Sequence, residues 1–175
     1  WFGDKNGKLV ANGELIWSDG GHIYTVREFA DFVFRFEFVM SAGGNNGLAI
    51  RSTGKGNPAY DAMCELQILD DGHKRYAAVK PRQVHGSAYG MAGAYRGYLR
   101  ADGEWNYQEV IVKGSTIQVE LNGVIILDTD LSKISDYMGG REHPGKMLKK
   151  GHLGFAAHGP EHVLRFRRLS VKELD

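Results

Sequence analysis

The chain has 175 residues, 42% of them hydrophobic, and 22 Lys and Arg against 21 Asp and Glu give a net charge of +1. A chain of this size suits one domain that buries about two-thirds of its unfolded surface without a staple. The balanced charge excludes the polyanion footprint of a dedicated nucleic-acid binder. A single cysteine excludes an intrachain disulfide and a cysteine zinc cluster, and no apolar run approaches the roughly 18 residues of a membrane span.

Glycine is the outlier. Its 24 residues are about twice the usual share of near 7%. With only four prolines this reads as many tight turns, not low complexity.

The first clear element is Phe32-Val33-Phe34-Arg35-Phe36-Glu37-Phe38, with four phenylalanines on one face and Arg35 and Glu37 on the other. A helix would spread these rings around its circumference; a strand stacks them on a core. After the turn-rich Gly43-Gly44-Asn45-Asn46-Gly47 comes Leu48-Ala49-Ile50-Arg51, then Cys64-Glu65-Leu66-Gln67-Ile68-Leu69, apolar at every second position. Further strands are expected at Glu109–Lys113, Thr116–Leu121 and Val124–Leu127, the last two joined by Asn122-Gly123. Asn-Gly is a strong hairpin signal because both turn positions need positive φ. Leu153–His158 and Val163–Phe166 complete the set; Leu131–Met138 fits one helical turn at most. Short strands at roughly ten-residue spacing, with turns between, give an all-β protein: a β-sandwich or jelly roll. Residues 70–104 and 128–151 resist strand assignment. Loops this long are usually functional, so both are expected to border a site.

The strongest chemical pattern is Glu65-Leu66-Gln67-Ile68-Leu69-Asp70-Asp71. If Leu66 and Ile68 enter the core, Glu65 and Gln67 line the open face, and Asp70 or Asp71 can curl back toward it. Two carboxylates over one groove suit glycoside chemistry, although a solvated strand face with a polar turn has the same pattern. Arg51 is expected on the open face with Ala49, where its fork of donors would orient Glu65 or hold substrate. His85, in Val84-His85-Gly86-Ser87, is a candidate proton shuttle beside a glycine that permits close approach. His158 ends a strand. Tyr60, Tyr76, Tyr89, Tyr95, Tyr98 and Trp105 supply rings for stacking on sugars or for ordinary packing. The histidines have no paired ligand spacing, so no metal motif and no cofactor motif is evident. Neither a nucleophile elbow nor a phosphate loop is present.

Eight runs stand in a telling order: Asp31–Phe38, Gly44–Arg51, Glu65–Asp71, His85-Gly86-Ser87-Ala88-Tyr89-Gly90, Gly103-Glu104-Trp105-Asn106, Leu121-Asn122-Gly123, Gly151-His152-Leu153-Gly154-Phe155 and Phe166-Arg167-Arg168-Leu169. Together they resemble the 3-keto-disaccharide hydrolase domain family over nearly the whole chain. The family's usual Phe-Asn-Gly-Lys-like opening is absent before Trp1, which suggests a trimmed N-terminus. The resemblance implies a concanavalin A-like jelly roll, hydrolysis of glycosides whose sugar carries a ketone at carbon 3, and a periplasmic or secreted location. The Glu65–Asp70 run is also similar to the Glu-x-Asp-x-x-Glu run of laminarinase-type glycosidases; Gln67 stands for its middle acid and Asp70 for its last glutamate.

A 3-keto group acidifies the hydrogen on carbon 2, so the expected chemistry is proton abstraction there, elimination of the carbon 1 leaving group, and addition of water. Glu65 or His85 would be base and acid, with Asp70 the alternative acid. Arg51 and Gln67 would stabilise the oxyanion or position the ring, and Asn46, Tyr89 and His158 would contact the sugar. A bound divalent cation is an alternative holder of the oxyanion. The partner is then a glycoside or oligosaccharide. The competing readings are a non-catalytic carbohydrate-binding module, a two-carboxylate glycosidase and an interaction domain using a sandwich edge.

Overall fold

The computed structural model describes residues 1–6, 8–159 and 162–175. The strands are β1 (Phe2–Gly3), β2 (Lys8–Ala11), β3 (Glu14–Trp17), β4 (Gly21–Phe29), β5 (Phe32–Met40), β6 (Asn45–Ser52), β7 (Cys64–Leu69), β8 (Asn106–Lys113), β9 (Thr116–Leu121), β10 (Val124–Asp130), β11 (Gly151–Ala157) and β12 (Leu164–Glu173). They form a jelly-roll β-sandwich. One sheet has five strands in the order β1-β4-β11-β6-β7, and the facing sheet has seven in the order β10-β9-β8-β5-β12-β3-β2. Every neighbouring pair is antiparallel. One α-turn, α1 (Pro58–Asp61), begins at Asn57, whose side chain accepts from the Ala59 N–H. Short 3-10 turns stud the long connections, including Leu131–Lys133 and Met138–Gly140 where one helical turn was expected. No helix among the described residues is long and apolar enough to cross a membrane.

The alternation of β5 places Phe32, Phe34, Phe36 and Phe38 inward, all buried. Across the sandwich, Phe155 of β11 stacks on Phe166 of β12 at 4.1 Å between ring centroids and meets Phe36 edge-on at 5.9 Å. Burying a side chain of this kind stabilises by roughly 1.5–3 kcal/mol, so this cluster contributes strongly to holding the sheets face to face. Asn122 (φ 52°) and Gly123 (φ 89°) close the β9–β10 hairpin with the left-handed pair that the sequence implies. Asn12 (φ 52°) and Gly13 (φ 77°) do the same between β2 and β3. Residues 1–30, unassigned from the sequence, thus supply four strands.

Arg51 departs from its expected place. Between the pairs Ala49–Gly154 and Ser52–His152, β6 carries one residue more than β11. The extra residue makes a bulge, and Arg51 sits there at φ 48°. The bulge breaks the alternation that would have put Arg51 beside Ala49. Its guanidinium, only 1% exposed, is instead used at one end of the sandwich. It donates to the carbonyls of Ala30 (2.8 Å), Gly114 (2.7 Å) and Leu148 (3.0 Å) and to the Asp31 carboxylate (2.7 Å). Three separate connections are tied there by one side chain. The adjoining hollow of about 560 Å³, lined also by Met147 and Leu174, therefore has its guanidinium already spent.

Arg51→Met removes a donor shared by three carbonyls and Asp31, which then keeps only the Gly114 N–H. It should lower unfolding stability by about 3 kcal/mol, read from the urea midpoint, with Arg51→Lys recovering only part. An unchanged midpoint would show that these contacts do not hold the end of the sandwich together.

Candidate active site

The outer face of the five-stranded sheet carries a cleft of about 310 Å³ whose floor is built by β6 and β7. All six residues of β7 are buried, but on two different sides. Leu66 and Ile68 join the core, while Glu65, Gln67 and Leu69 line the cleft, as period two requires. Asn45 of β6 pairs with Leu69 and Gly47 with Gln67, so both lie on the cleft face.

Gly47 makes room for Glu65. A Cβ on Gly47 would stand 1.9 Å from Glu65 Oε1 and 2.4 Å from Cδ. The carboxylate thus lies flat across the β6 backbone, at a residue exposure of 3%. Among the described residues no hydrogen bond reaches it; His158 Nε2 stands 3.9 Å from Oε1. Gln67 is 4% exposed. Its Nε2 donates to Asn45 Oδ1 at 2.7 Å, which leaves its buried Oε1 without a partner. Gln67 is therefore presented to a ligand as an acceptor.

The walls come from the long connections. Residues 86–89 run along the outer edge of β7: Gly86 N–H donates to the Gln67 carbonyl (2.8 Å), Gln67 N–H to the Ser87 carbonyl (3.0 Å) and Tyr89 N–H to the Glu65 carbonyl (2.9 Å). This brings the Tyr89 ring over the cleft, its hydroxyl accepting from Gln83 Nε2 at 3.2 Å. Tyr60, from α1, meets Tyr89 edge-on at 6.3 Å. Arg141 lies over Tyr60, its guanidinium carbon 3.3 Å from the ring centroid. Asn57, Tyr76, Val79 and His158 complete the wall. Both stretches expected to border a site do so.

Four of the expected site residues meet in this cleft: Glu65, Gln67, Tyr89 and His158. Four do not. Arg51 is at the sandwich end. Asn46 pairs with Ile68 and shares its inward face, buried, with Oδ1 accepting from the Gly47 N–H; its neighbour Asn45 takes the cleft position. Asp70 accepts from the Gly43 N–H at 2.7 Å and borders a separate hollow with His73 and Arg100. His85 is inside the sandwich, 3% exposed and stacked on Phe38. Its Nδ1 accepts from the Leu69 N–H at 3.2 Å, so Nε2 carries the proton and donates to Gln108 Oε1 at 3.0 Å. Burial pushes its pKa down to about 4, and it serves as a neutral core residue. Asn45, Asn57, Gln83 and Arg141 were not singled out from the sequence. Asn45 carried a readable signal, its one-residue offset from Asn46. Among the described residues, no three His, Cys, Asp or Glu side chains converge as metal ligands would.

Gly47→Ala should displace the Glu65 carboxylate while sparing the fold, because the clash is with a flexible side chain and φ at Gly47 is not positive. The expected result is a large loss of turnover with a melting temperature within a few degrees of the parent, read by activity and thermal unfolding together. His85 generates a pH prediction. Between about pH 4 and 6.5 the unfolded chain binds a proton at this histidine that the folded chain refuses. Stability therefore rises with pH through that window, is complete above about 6.5, and falls by up to about 3 kcal/mol on acidification. The pH slope of the melting temperature should be shallower in His85→Gln than in the parent; equal slopes would contradict it. Burial also lowers the pKa of His143, but that contribution is common to both proteins and cancels.

The sequence and fold can be set beside known proteins. A 3-keto-disaccharide hydrolase of Bacteroides thetaiotaomicron is 29% identical over 93% of this chain, and the chain spans 65% of that relative's length. A solved structure from Parabacteroides distasonis, described as a candidate glycosyl hydrolase, superposes with a TM-score of 0.88 at 25% identity, covering 98% of this chain and 92% of its own. A carbohydrate-binding module from Bacillus subtilis shares the fold at a TM-score of 0.59 and 12% identity, over 96% of this chain and 92% of its own. The model of the 3-keto-alpha-glucoside-1,2-lyase-like domain matches residues 1–172, and the chain belongs to that family.

Proposed function

We propose that the protein cleaves glycosides whose sugar carries a ketone at carbon 3, by proton abstraction at carbon 2, elimination and hydration. One observation carries the reading: among the described residues the cleft is lined by a single carboxylate, Glu65, which is withdrawn from solvent and laid over Gly47. A carboxylate so placed is fit to take a proton. The family membership and the name of the Bacteroides relative support the substrate class.

In the reaction the carbon 2–hydrogen bond breaks and the proton passes to Glu65. The electron pair forms a carbon 2–carbon 3 double bond, and the ketone oxygen takes the negative charge. Re-formation of the ketone moves the pair to a carbon 1–carbon 2 double bond and breaks the bond from carbon 1 to the leaving oxygen. That oxygen takes a proton from His158, close beside Glu65, or from the Tyr89 hydroxyl. Water then adds its hydroxyl to carbon 1 and gives its proton back to His158 or Tyr89, while protonated Glu65 returns its proton to carbon 2. Gln67 Oε1 accepts from a sugar hydroxyl, and the Tyr89 ring faces the apolar side of the sugar. The volume of about 310 Å³ lies at the small end of ligand pockets, which run from about 300 to 1,000 Å³.

Among the described residues no Asp and no other Glu lines this cleft, so the two-carboxylate reading has no second acid among them. A purely binding module would have little use for a carboxylate withdrawn so far from solvent, since burying a charge is costly.

The test is incubation with a 3-keto-glucoside and with its unoxidised parent, following release of the leaving group. Turnover of the keto form alone is expected. Glu65→Gln should lower that turnover by about 10²–10⁴-fold while melting at or above the parent temperature. Equal turnover of both sugars, or a near-normal rate in the variant, would refute the assignment.

A further inference from the structure

Most arginines of this protein are neutralised. Arg27, Arg35, Arg82, Arg165, Arg167 and Arg168 each meet an Asp or Glu side chain. Arg141 is an exception inside the cleft. Among the described residues no carboxylate pairs with it, and its guanidinium lies flat on Tyr60. Tyr60 is itself held, in contact with His143 at 5.0 Å and Tyr89 at 6.3 Å. The result is a planar group of five N–H donors resting on a ring that is itself packed, in the same cleft as Glu65.

The other cleft groups cannot supply what this fork supplies. Gln67 spends one amide N–H on Asn45, leaves its oxygen unpartnered and carries no positive charge. Glu65 accepts only. Abstraction of the carbon 2 proton by Glu65 moves one negative charge from the carboxylate to the ketone oxygen. The site then needs a cation that attracts that charge without protonating it, because a protonated enol no longer pushes out the leaving group as readily. A guanidinium keeps its proton at any ordinary pH, so it meets both demands where an imidazolium or an ammonium meets one.

We infer that Arg141 is the catalytic group that holds the enolate oxygen formed when Glu65 takes the proton. The inference rests on the reaction proposed above and assigns to Arg141 the part that the sequence suggested for Arg51.

The experiment uses Arg141→Gln and Arg141→Lys with two substrates. The first is a neutral 3-keto-glucoside, read as kcat and KM. The second is 3-keto-glucose in deuterium oxide, read by NMR as exchange of the carbon 2 hydrogen, which reports proton abstraction with no aglycone present. Arg141→Gln should lower kcat by about 10²–10³-fold and slow exchange by a similar factor, with a smaller change in KM. Arg141→Lys should recover part of both, and added guanidinium at a non-denaturing concentration should restore rate to Arg141→Ala. A rise in KM alone with exchange unaffected would make Arg141 a contact for the leaving group and overturn the inference. So would a near-normal kcat in Arg141→Gln. A parent protein that neither cleaves the keto-glucoside nor exchanges the hydrogen would instead refute the reaction itself. Arg141 is exposed on a connection outside the core, so the variants should fold, as thermal unfolding will verify.

Discussion

Everything functional depends on β7 being buried on both sides. A strand at a sheet edge usually gives one face to the core and the other to water. Here Leu66 and Ile68 face the sandwich interior, and Glu65 and Gln67 face a cleft closed over by residues 57–60 and 76–89. Strict alternation makes the two faces inseparable, since any slip of β7 against β6 would drive a carboxylate into the phenylalanine core. The hydrophobic effect that fixes the register therefore also fixes the carboxylate. The same edge is capped by residues 86–89, whose backbone bonds to Glu65 and Gln67 leave little freedom in the strand carrying them.

The cleft's polarity follows from a few hydrogen bonds. Asn45 turns the Gln67 amide so that its oxygen faces inward. Gly47 lets the Glu65 side chain lie down instead of standing into the cleft. The site is thus rich in acceptors on its floor, and its cation sits on its wall. On the proposed reading, the hydroxyl donors of a sugar would meet the floor, and charge developing in the reaction would meet the wall.

The sequence made the floor legible because period two is a local signal. The phenylalanine stripe of β5, the Asn122-Gly123 hairpin and the two faces of β7 can all be read from neighbours along the chain. Three expectations failed for non-local reasons. The bulge at Arg51 depends on how β11 pairs with β6, and no pattern in Leu48–Ser52 announces it. His85 is drawn inward by Gln108, 23 residues away in the chain, and by stacking on Phe38. The strand expected at Leu48–Arg51 extends back to Asn45 through its pairing with β7, which turns Asn46 to the inner face and Asn45 to the cleft. The first strands were hidden by short length and mixed composition, although Asn12-Gly13 repeats the turn signal read correctly at Asn122-Gly123. Arg141 lay in a charged stretch where one arginine looks like any other until its missing partner is visible in space.

The cleft is assembled from parts under very different constraint. Its floor shares strands with the core, so few substitutions of the core-facing residues in those strands leave the sandwich intact. Its walls, at residues 57–60, 76–83, 89 and 141, hang on connections whose side chains lie outside the core cluster. Lengthening or resculpting those connections would alter which molecule is admitted without disturbing how the bond is broken. Such a division allows one scaffold to diversify in what it accepts while keeping a single chemistry.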